Sequence, residues 1–154
     1  MSNLKRLTHQ PDYRNRFNRK LWLNERQSDL RHYFDSRNIL TGGIEAEPFW
    51  AKVPYVSIWK IRSVGTPGFD GWYGMAGDHP CDIVGMNNFS DRPRDILRYF
   101  AAKWAYAAQR LKRGEDYPEF RIERIEERHK IGLLIEDRSN RLQRWVDEND
   151  LWGE

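Results

Sequence analysis

Cysteine is nearly absent from the sequence, and long apolar runs are missing altogether. The single cysteine, Cys81, excludes an internal disulfide and a zinc site built from cysteines. No apolar run approaches the roughly 18 residues of a membrane-spanning helix, and the N-terminus has no apolar stretch of signal-peptide type. We therefore expect a cytoplasmic protein that makes no membrane contact, holds no metal and uses no cofactor.

Repeats and low-complexity segments are also absent, whereas aromatic residues are plentiful. The 154 residues include seven Trp, seven Tyr and seven Phe. A chain of this length buries about 68–70% of its unfolded surface and needs no disulfide or metal to hold it together. We predict a single domain over residues 1–154, in which 1–11 are flexible, 12–40 form a basic helix, 54–84 form a β-meander and 91–152 form a helical part.

Charge is distributed unevenly around a net value of +3. Residues 1–40 carry nine basic and four acidic side chains, whereas residues 115–154 carry seven basic and twelve acidic ones. A basic segment can indicate an acidic partner such as nucleic acid. Head and tail can also attract each other or form solvated faces, and we favour this second interpretation.

The first predicted element is a helix over residues 12–38. Pro11 suits its first turn, and Gly42-Gly43 indicates where the helix has stopped. Apolar residues recur near a 3.6-residue period, which predicts a buried stripe. This stripe comprises Tyr13, Phe17, Leu21, Leu30, Tyr33 and Phe34. The opposite face carries Arg14, Arg16, Arg19, Arg26 and Arg31.

Three β segments follow a predicted loop that contains Trp50. Residues 55–64 are rich in β-branched and aromatic side chains and are apolar on both faces, which predicts a central strand. Residues 72–76 and 81–84 predict two more strands, joined by a tight turn over 77–80. The economical assembly is a three-stranded antiparallel meander.

The rest of the chain is predicted to be helical. Ser90 or Asp91 can cap a helix that has Pro93 in its first turn and ends near Gly114. Helical sequence resumes at Phe120, as one bent helix or as two. The bend is expected around Gly132 and Ser139, and the apolar side is expected to comprise Leu133, Leu134, Leu142, Trp145 and Val146. The order α-β-β-β-α-α predicts an α+β fold, with a small antiparallel three-stranded sheet packed by an N-terminal helix and two to three C-terminal helices.

Four separated blocks of the sequence resemble one family. They are residues 54–59, residues 71–73 together with 77–82, residues 93–104, and the tail from Leu133 to Leu151-Trp152. In this order they resemble a family of small uncharacterised bacterial proteins known as a domain of unknown function. Its features are a Trp-rich strand, a Gly-Asp-x-Pro-x-Asp turn, an Arg-led helix and a C-terminal Leu-Trp. The resemblance covers roughly residues 50–152 and implies a fold and a bacterial source, but no activity.

The segment 71–82 combines turn residues, aromatics and polar side chains more densely than any other. If the protein is an enzyme, Asp78, His79 and Asp82 are the catalytic candidates. The two aspartates lie about 13 Å apart in an extended chain, too far for a shared proton or metal, since a strand rises about 3.3 Å per residue. His79 and Cys81 lie about 6.6 Å apart by the same rise, which is poor geometry for a nucleophile and its base.

A structural role for this segment is the simplest interpretation. Asp78 is expected to accept backbone N–H bonds in the turn, and Asp82 to pair with Arg94 or Arg98 of the next helix. Cys81 is expected to be a small buried apolar residue. A binding surface and an enzyme site remain the alternatives.

Tryptophan is abundant for this length, and it is enriched in the hot spots of protein interfaces. Trp50 in its predicted loop and Trp152 near the end of the chain are least explained by a core. The predicted binding residues are Trp50, Trp72, Asp78, Asp82, Arg94 and Trp152.

These observations favour a non-enzymatic protein-binding module. Its most concrete form is a bacterial immunity-type inhibitor that neutralises a toxin by direct binding, with complementary charge speeding association. One alternative is a small enzyme with a polar pocket at the 77–82 turn, in which Asp78 and His79 are open to water. The other is a nucleic-acid-binding protein that uses the basic first helix.

Overall fold

The computed structural model describes residues 10–89, 91–120, 122 and 124–153. Most of the segment predicted to be flexible, residues 1–9, lies outside the described residues. The elements in chain order are α1 (Arg16–Ser36), β1 (Gly43–Ile44), β2 (Trp50–Lys52), β3 (Val56–Arg62), β4 (Gly71–Gly77), β5 (His79–Gly85), α2 (Pro93–Lys112), α3 (Ile125–Val146) and α4 (Asn149–Trp152). Short 3-10 turns lie at Met86–Asn88 and Pro118–Phe120.

The sheet is antiparallel, with the order β1-β3-β4-β5 and with β2 also paired to β3. In the register between β3 and β4, Ile58 lies opposite Met75. The two short strands share the other side of β3, where Ile44 pairs with Ile61 and Trp50 pairs with Ile58. β3 therefore has neighbours on both sides, as its two apolar faces predict.

Side chains alternate between the two faces along every strand, so both faces of the sheet carry apolar residues. Helices cover each of these faces. α1 covers one face, and the core there comprises Leu30, Phe34, Trp59, Ile61 and Ala76. α2 and α3 cover the other face, and the larger core there includes Val56, Ile58, Tyr73, Met75, Phe100, Trp104 and Leu142. The predicted α+β class is confirmed, with the sheet between an N-terminal helix and the C-terminal helices.

The first helix begins at Arg16, later than the residue 12 that the sequence predicts. Asn15 caps it, since its side-chain oxygen accepts N–H bonds from Phe17 (2.9 Å) and Asn18 (3.2 Å). Pro11, predicted to occupy the first turn, lies outside the helix. The local capping bonds, rather than the proline, fix where α1 starts.

The buried side of α1 is shorter than the predicted stripe. Trp22, Leu30 and Phe34 are buried, whereas Phe17 is 72% exposed and Leu21 is 48% exposed. Periodicity identifies one face of a helix, but burial also needs another element opposite that face. The expectation that Phe17 and Leu21 point into the core is therefore wrong.

The chain between α1 and β3 is more ordered than the predicted linker. α1 ends at Ser36, where Asn38 turns the chain at a φ of 57°, rather than at Gly42-Gly43. Gly43 and Trp50 belong to β1 and β2, strands of two and three residues. Strands this short show no alternation that a sequence could reveal. The predicted three-stranded meander is thus present as β3, β4 and β5, and β1 and β2 extend it beside β3 into a five-stranded sheet.

The turn between β4 and β5 is tighter than the predicted turn over 77–80. β4 extends to Gly77 and β5 begins at His79, so Asp78 alone separates the two strands. Gly77 permits this turn, because a Cβ there would lie 2.1 Å from the Tyr55 carbonyl oxygen. His79 is therefore a strand residue.

α2 has the predicted apolar stripe but a different start. Its N-cap is Arg92, whose side chain makes no capping hydrogen bond. Asp91, a predicted cap, instead accepts hydrogen bonds from the Tyr73 hydroxyl (2.7 Å) and from Lys60 Nζ. The other predicted cap, Ser90, lies outside the described residues.

α3 is a single helix that passes Gly132 and Ser139 without a break. Gly132 lies so close to α2 that a Cβ would lie 2.8 Å from the Lys112 backbone nitrogen. Ile135 is buried, whereas Leu133, predicted on the apolar side, is exposed. In the part of the chain described, none of the helices combines the length and the apolar character needed to cross a membrane.

Candidate functional site

Asp78, at the turn between β4 and β5, is held by two arginines of α3. Arg138 Nε donates to the Asp78 carbonyl oxygen (2.9 Å), and Arg141 Nη2 donates to the carboxylate Oδ1. The Arg141 guanidinium also lies over the rings of Tyr55 and Trp145, at 5.0 and 5.2 Å. The prediction that the carboxylate accepts backbone N–H bonds within the turn is wrong, because it fastens the turn to α3.

His79 follows with a ring that faces the interior. Its Nδ1–H donates to the Pro80 carbonyl oxygen (2.9 Å), and its ring contacts Trp104 edge-on at 4.8 Å. Its Nε2 is buried with no hydrogen-bond partner among the described residues. Burial lowers the pKa of His79 to about 4, so the ring is neutral at neutral pH. Burial also raises the pKa of the Cys81 thiol to about 12, which makes it unreactive.

Asp82, on β5, is bound by two adjacent residues of α2. Its Oδ1 accepts a hydrogen bond from Lys103 Nζ and its Oδ2 accepts one from the Trp104 indole, both at 2.9 Å. The backbone N–H of Ile83 donates to Oδ1 at the same distance. The carboxylate is therefore paired and hydrogen-bonded, as a buried charge must be.

Arg94 and Arg98, the predicted partners of Asp82, bind elsewhere. Arg94 donates to the Val146 carbonyl oxygen (2.9 Å) and to Asn149 Oδ1 (2.8 Å), while Arg98 pairs within its own helix. Both arginines lie in the first two turns of α2, whereas the contacts of Asp82 come from the middle of that helix. The prediction of an arginine partner is therefore corrected to lysine and tryptophan.

Asp82, Lys103 and Glu119 form a row of alternating charges. The Lys103 side chain is 12% exposed and pairs with both carboxylates. Burial raises the pKa of Asp82, and Lys103 and the Trp104 indole oppose that rise. Burial also lowers the pKa of Lys103, but the two carboxylates outweigh this effect and raise that pKa above its ordinary value. Lys103 is thus a fixed positive charge at neutral pH.

A cleft of about 470 Å³ opens beside this row of charges along β5. Arg37 lies over the Tyr33 ring at 4.0 Å and donates to the Glu119 carbonyl oxygen. Burial raises the pKa of Tyr33 to about 12, so its hydroxyl stays protonated. The residues that line the cleft are Tyr33, Arg37, Ile39, Asp82, Ile83, Val84, Tyr99, Lys103, Pro118 and Glu119. Neither Asp78 nor His79 is among them, so the three catalytic candidates do not share this cleft.

The sequence indicates Asp82 but gives little sign of the other polar residues in the cleft. Arg37, Lys103 and Glu119 come from separate parts of the chain, and Arg37 and Glu119 stand in segments rich in charge. A usable signal exists at Lys103, which adjoins Trp104 in a stretch otherwise made of alanine and aromatic residues. Over the described ranges, no group of three or more His, Cys, Asp or Glu side chains is placed to hold a metal ion.

The three tryptophans predicted to bind a partner contact other aromatic residues of the chain. Trp50 stacks on Trp152 with a centroid distance of 4.9 Å. Trp72 packs edge-on against Phe34 and Phe69. All three are half-buried. These contacts explain their burial, and their role in binding a partner stays a prediction.

The first turns of α1 are open to solvent and carry both charge and apolar surface. Arg16, Arg19 and Lys20 are exposed, and within the described chain none of them has an ion-pair partner. Phe17 and Leu21, one helical turn apart, are exposed beside them. We call these five residues the N-terminal patch.

Comparison with known proteins identifies a family without assigning an activity. A family model described as a domain of unknown function (DUF4826) matches residues 16–152. This match includes α1, which the resemblance over residues 50–152 leaves out. Searches of the curated proteins and of the solved structures found no match. The resemblance to a domain of unknown function is confirmed, and a bacterial source stays a prediction.

Proposed function

The chain belongs to this family of unknown function, and we propose that it is a non-enzymatic protein-binding module whose contact surface is the N-terminal patch. The observation that carries the proposal is a group of three cations without ion-pair partners among the described residues, beside two exposed apolar side chains. The partner would be a protein with an acidic surface.

The charges of the patch are placed where they do not stabilise the free chain. The N-terminus of a helix bears a partial positive charge, so cations in the first turn destabilise it by about 0.3–1 kcal/mol each at low ionic strength. Arg16 and Arg19 lie in the first turn of α1, and no acidic residue accompanies them there. When an acidic partner binds, its carboxylates would neutralise these charges and so relieve the destabilisation of the helix.

The apolar side chains of the patch favour a protein over nucleic acid. The ring of Phe17 could stack on a base, but Leu21 has no flat face with which to stack. An aromatic and an aliphatic side chain together suit the apolar centre of a protein interface, which charged residues then surround. We therefore expect an apolar pocket within the acidic surface of the partner.

An immunity-type inhibitor is one concrete form of this module. The toxin would need an acidic surface with an apolar pocket, and complementary charge would raise the association rate. An enzyme with its site at the β4–β5 turn has less support, because two arginines engage Asp78 and burial keeps His79 neutral.

Cross-linking from the patch identifies the partner in cells. A photoreactive phenylalanine analogue replaces Phe17 in the full chain, and mass spectrometry identifies the covalent adduct. The same analogue at Tyr106, which is exposed on α2, is the control. We expect a protein adduct from position 17 that position 106 does not give.

Binding of the purified partner is then compared between two matched charge reversals. R16E with R19E alters the patch, while K130E with R144E makes the same change in net charge at exposed positions of α3. We expect the first pair to weaken binding by at least about tenfold. It should also raise Tm, because acidic residues suit a helix N-terminus.

The second pair should leave the affinity close to that of the unchanged protein. Equal weakening by both pairs would contradict the proposal. So would a nucleic acid as the cross-linked species, bound with the steep salt dependence of phosphate contacts.

A further inference from the structure

We propose that the cleft along β5 binds a small aromatic monocarboxylate, whose carboxylate takes the place of Glu119 on Lys103. The cleft adjoins the C-terminal end of α1, at Tyr33 and Arg37, whereas the N-terminal patch lies at the opposite end of that helix. The two proposals are therefore independent, and either can fail alone.

The charges that line the cleft balance while Glu119 is in place. Arg37 and Lys103 supply two positive charges, and Asp82 and Glu119 supply two negative ones. When Glu119 turns into solvent, one positive charge is left unmatched. A single carboxylate restores the balance, whereas a phosphate dianion exceeds it.

The two carboxylates on Lys103 differ in how firmly they are held. Asp82 is 4% exposed and also accepts hydrogen bonds from the Trp104 indole and the Ile83 backbone. The Glu119 side chain is 56% exposed, and its ion pair is with Lys103. An exposed carboxylate gains little from an ion pair, because water solvates it well. Asp82 is thus the fixed partner of Lys103, and Glu119 is the exchangeable one.

The walls of the cleft suit an aromatic body with one charged end. The rings of Tyr33 and Tyr99 and the side chains of Ile39 and Val84 line it. Its volume of about 470 Å³ lies within the roughly 300–1,000 Å³ of small-molecule sites. Arg37 uses one of its five N–H donors on the Glu119 carbonyl in the described structure, so others are available for the ligand carboxylate.

Benzoate and phenylacetate are the probes, and benzamide is the uncharged control. Each is titrated into the 15N-labelled full chain and followed by NMR. The reporters are the indole N–H of Trp104, which donates to Asp82, and the backbone amide of Val84. We expect saturable millimolar binding of both acids and no binding of benzamide.

Two variants test the exchange of carboxylates. E119A should tighten benzoate binding about two- to fivefold, because a competing exposed ion pair is gone. R37M should weaken it about tenfold, because a charge-assisted hydrogen bond is lost. The matched control is E115A, which removes a part-exposed carboxylate paired with Arg110, away from the lining of the cleft. E115A should leave the affinity unchanged.

Four results would each overturn the proposal. They are no saturable shift with either acid, equal binding of benzamide, unchanged or weaker binding in E119A, and tighter binding of inorganic phosphate than of benzoate. E119A changes an exposed side chain, and an unchanged far-UV circular dichroism spectrum and Tm would show that it is folded. A negative result therefore counts against the cleft as a site.

Discussion

Asp82 joins the sheet to α2 through a carboxylate that is almost completely buried. D82A leaves the Trp104 indole without its acceptor and leaves Lys103 with Glu119 alone. Breaking a buried ion pair costs about 3–5 kcal/mol, and the remaining partner of Lys103 moderates the loss. We expect the free energy of unfolding to fall by about 3 kcal/mol, measured by urea denaturation.

E119Q is the control for this prediction, because Glu119 is the other carboxylate that pairs with Lys103. Because Glu119 is largely exposed, we expect E119Q to lower the free energy of unfolding by no more than about 1 kcal/mol. Equal losses in D82A and E119Q would show that Asp82 does not anchor the sheet to α2.

His79 makes stability depend on pH in a defined window. Its pKa falls from 6.5 in the unfolded chain to about 4 in the fold, because burial disfavours the charged ring. Between these values the unfolded chain binds one more proton, so stability is full above pH 6.5 and is lost as the pH falls toward 4. We expect an upper limit of about 1.4 kcal/mol lost per pH unit from this residue.

H79F isolates this contribution, since a phenyl ring can keep the contact with Trp104 but cannot titrate. The free energy of unfolding is measured by urea denaturation at several pH values in both proteins. The difference in free energy of unfolding between the two proteins should change between about pH 4 and pH 6.5 and be constant above pH 6.5. Parallel pH profiles for the two proteins would rule out a titrating, buried His79.

The chemistry of Asp82 could be predicted from the sequence only in part. An aspartate in an apolar strand requires a cationic partner, and the sequence predicts one in the following helix. Which cation it is depends on where the strand lies along that helix, and tertiary packing decides this. Arg94 and Arg98 are nearer in sequence, but Lys103 is nearer in space.

At the scale of elements, Gly132 sets how closely α3 approaches α2. Alanine in place of glycine ordinarily stabilises a helix by up to about 1 kcal/mol. Here its Cβ would lie 2.8 Å from the Lys112 backbone nitrogen, which cannot turn aside as the end of a flexible side chain can. We expect G132A to destabilise the protein by about 1–3 kcal/mol in thermal or urea unfolding.

Asn140, exposed on the same helix, provides the matched control. N140A should be neutral or stabilise the protein by a few tenths of a kcal/mol, on the order of its propensity difference. If G132A also stabilises the protein, the close approach of α2 and α3 does not depend on this glycine.

α1 illustrates which part of an element the sequence predicts. Its existence and its covered second half follow from periodicity, since Leu30 and Phe34 are buried as expected. Its first half has the same periodicity, yet Phe17 and Leu21 are exposed. The local sequence does not indicate at which residue of a helix the contact with the sheet begins. The residue from which the apolar side chains of α1 are buried could therefore not be predicted.

At the scale of the whole molecule, the last helix, α4, packs against the β2 strand of the sheet. Trp152 of α4 stacks on Trp50 of β2 and donates its indole N–H to the Trp145 carbonyl oxygen (2.9 Å). We expect W152A and W50A each to lower the free energy of unfolding by about 1–3 kcal/mol. A double-mutant cycle should give a coupling of about 0.5–1.5 kcal/mol.

Trp22, buried on α1, supplies the control for this cycle. No ring contact joins Trp22 to Trp152 in the described chain, so W22A and W152A should be additive. A coupling near zero between positions 50 and 152 would mean that the stack does not fasten the tail.

The α+β class and the order of the long elements could be predicted from the sequence, because each long element has its own periodicity. The five-stranded sheet could not, because β1 and β2 exist through their pairing with β3 rather than through any pattern of their own. The cleft could not be predicted either, since Tyr33, Lys103 and Glu119 meet there solely through the packing of three separate segments.

The two outer edges of the sheet have a consequence for how copies of the protein meet. One edge is built of strands of two and three residues with a gap between them. On the other edge, the N–H of Ile83 is already occupied by the Asp82 carboxylate. A strand from a second chain would find neither edge regular enough to extend, which discourages aggregation by edge-to-edge addition. The carboxylate that lines the cleft thus also occupies an N–H group through which β5 could pair with a strand of another copy.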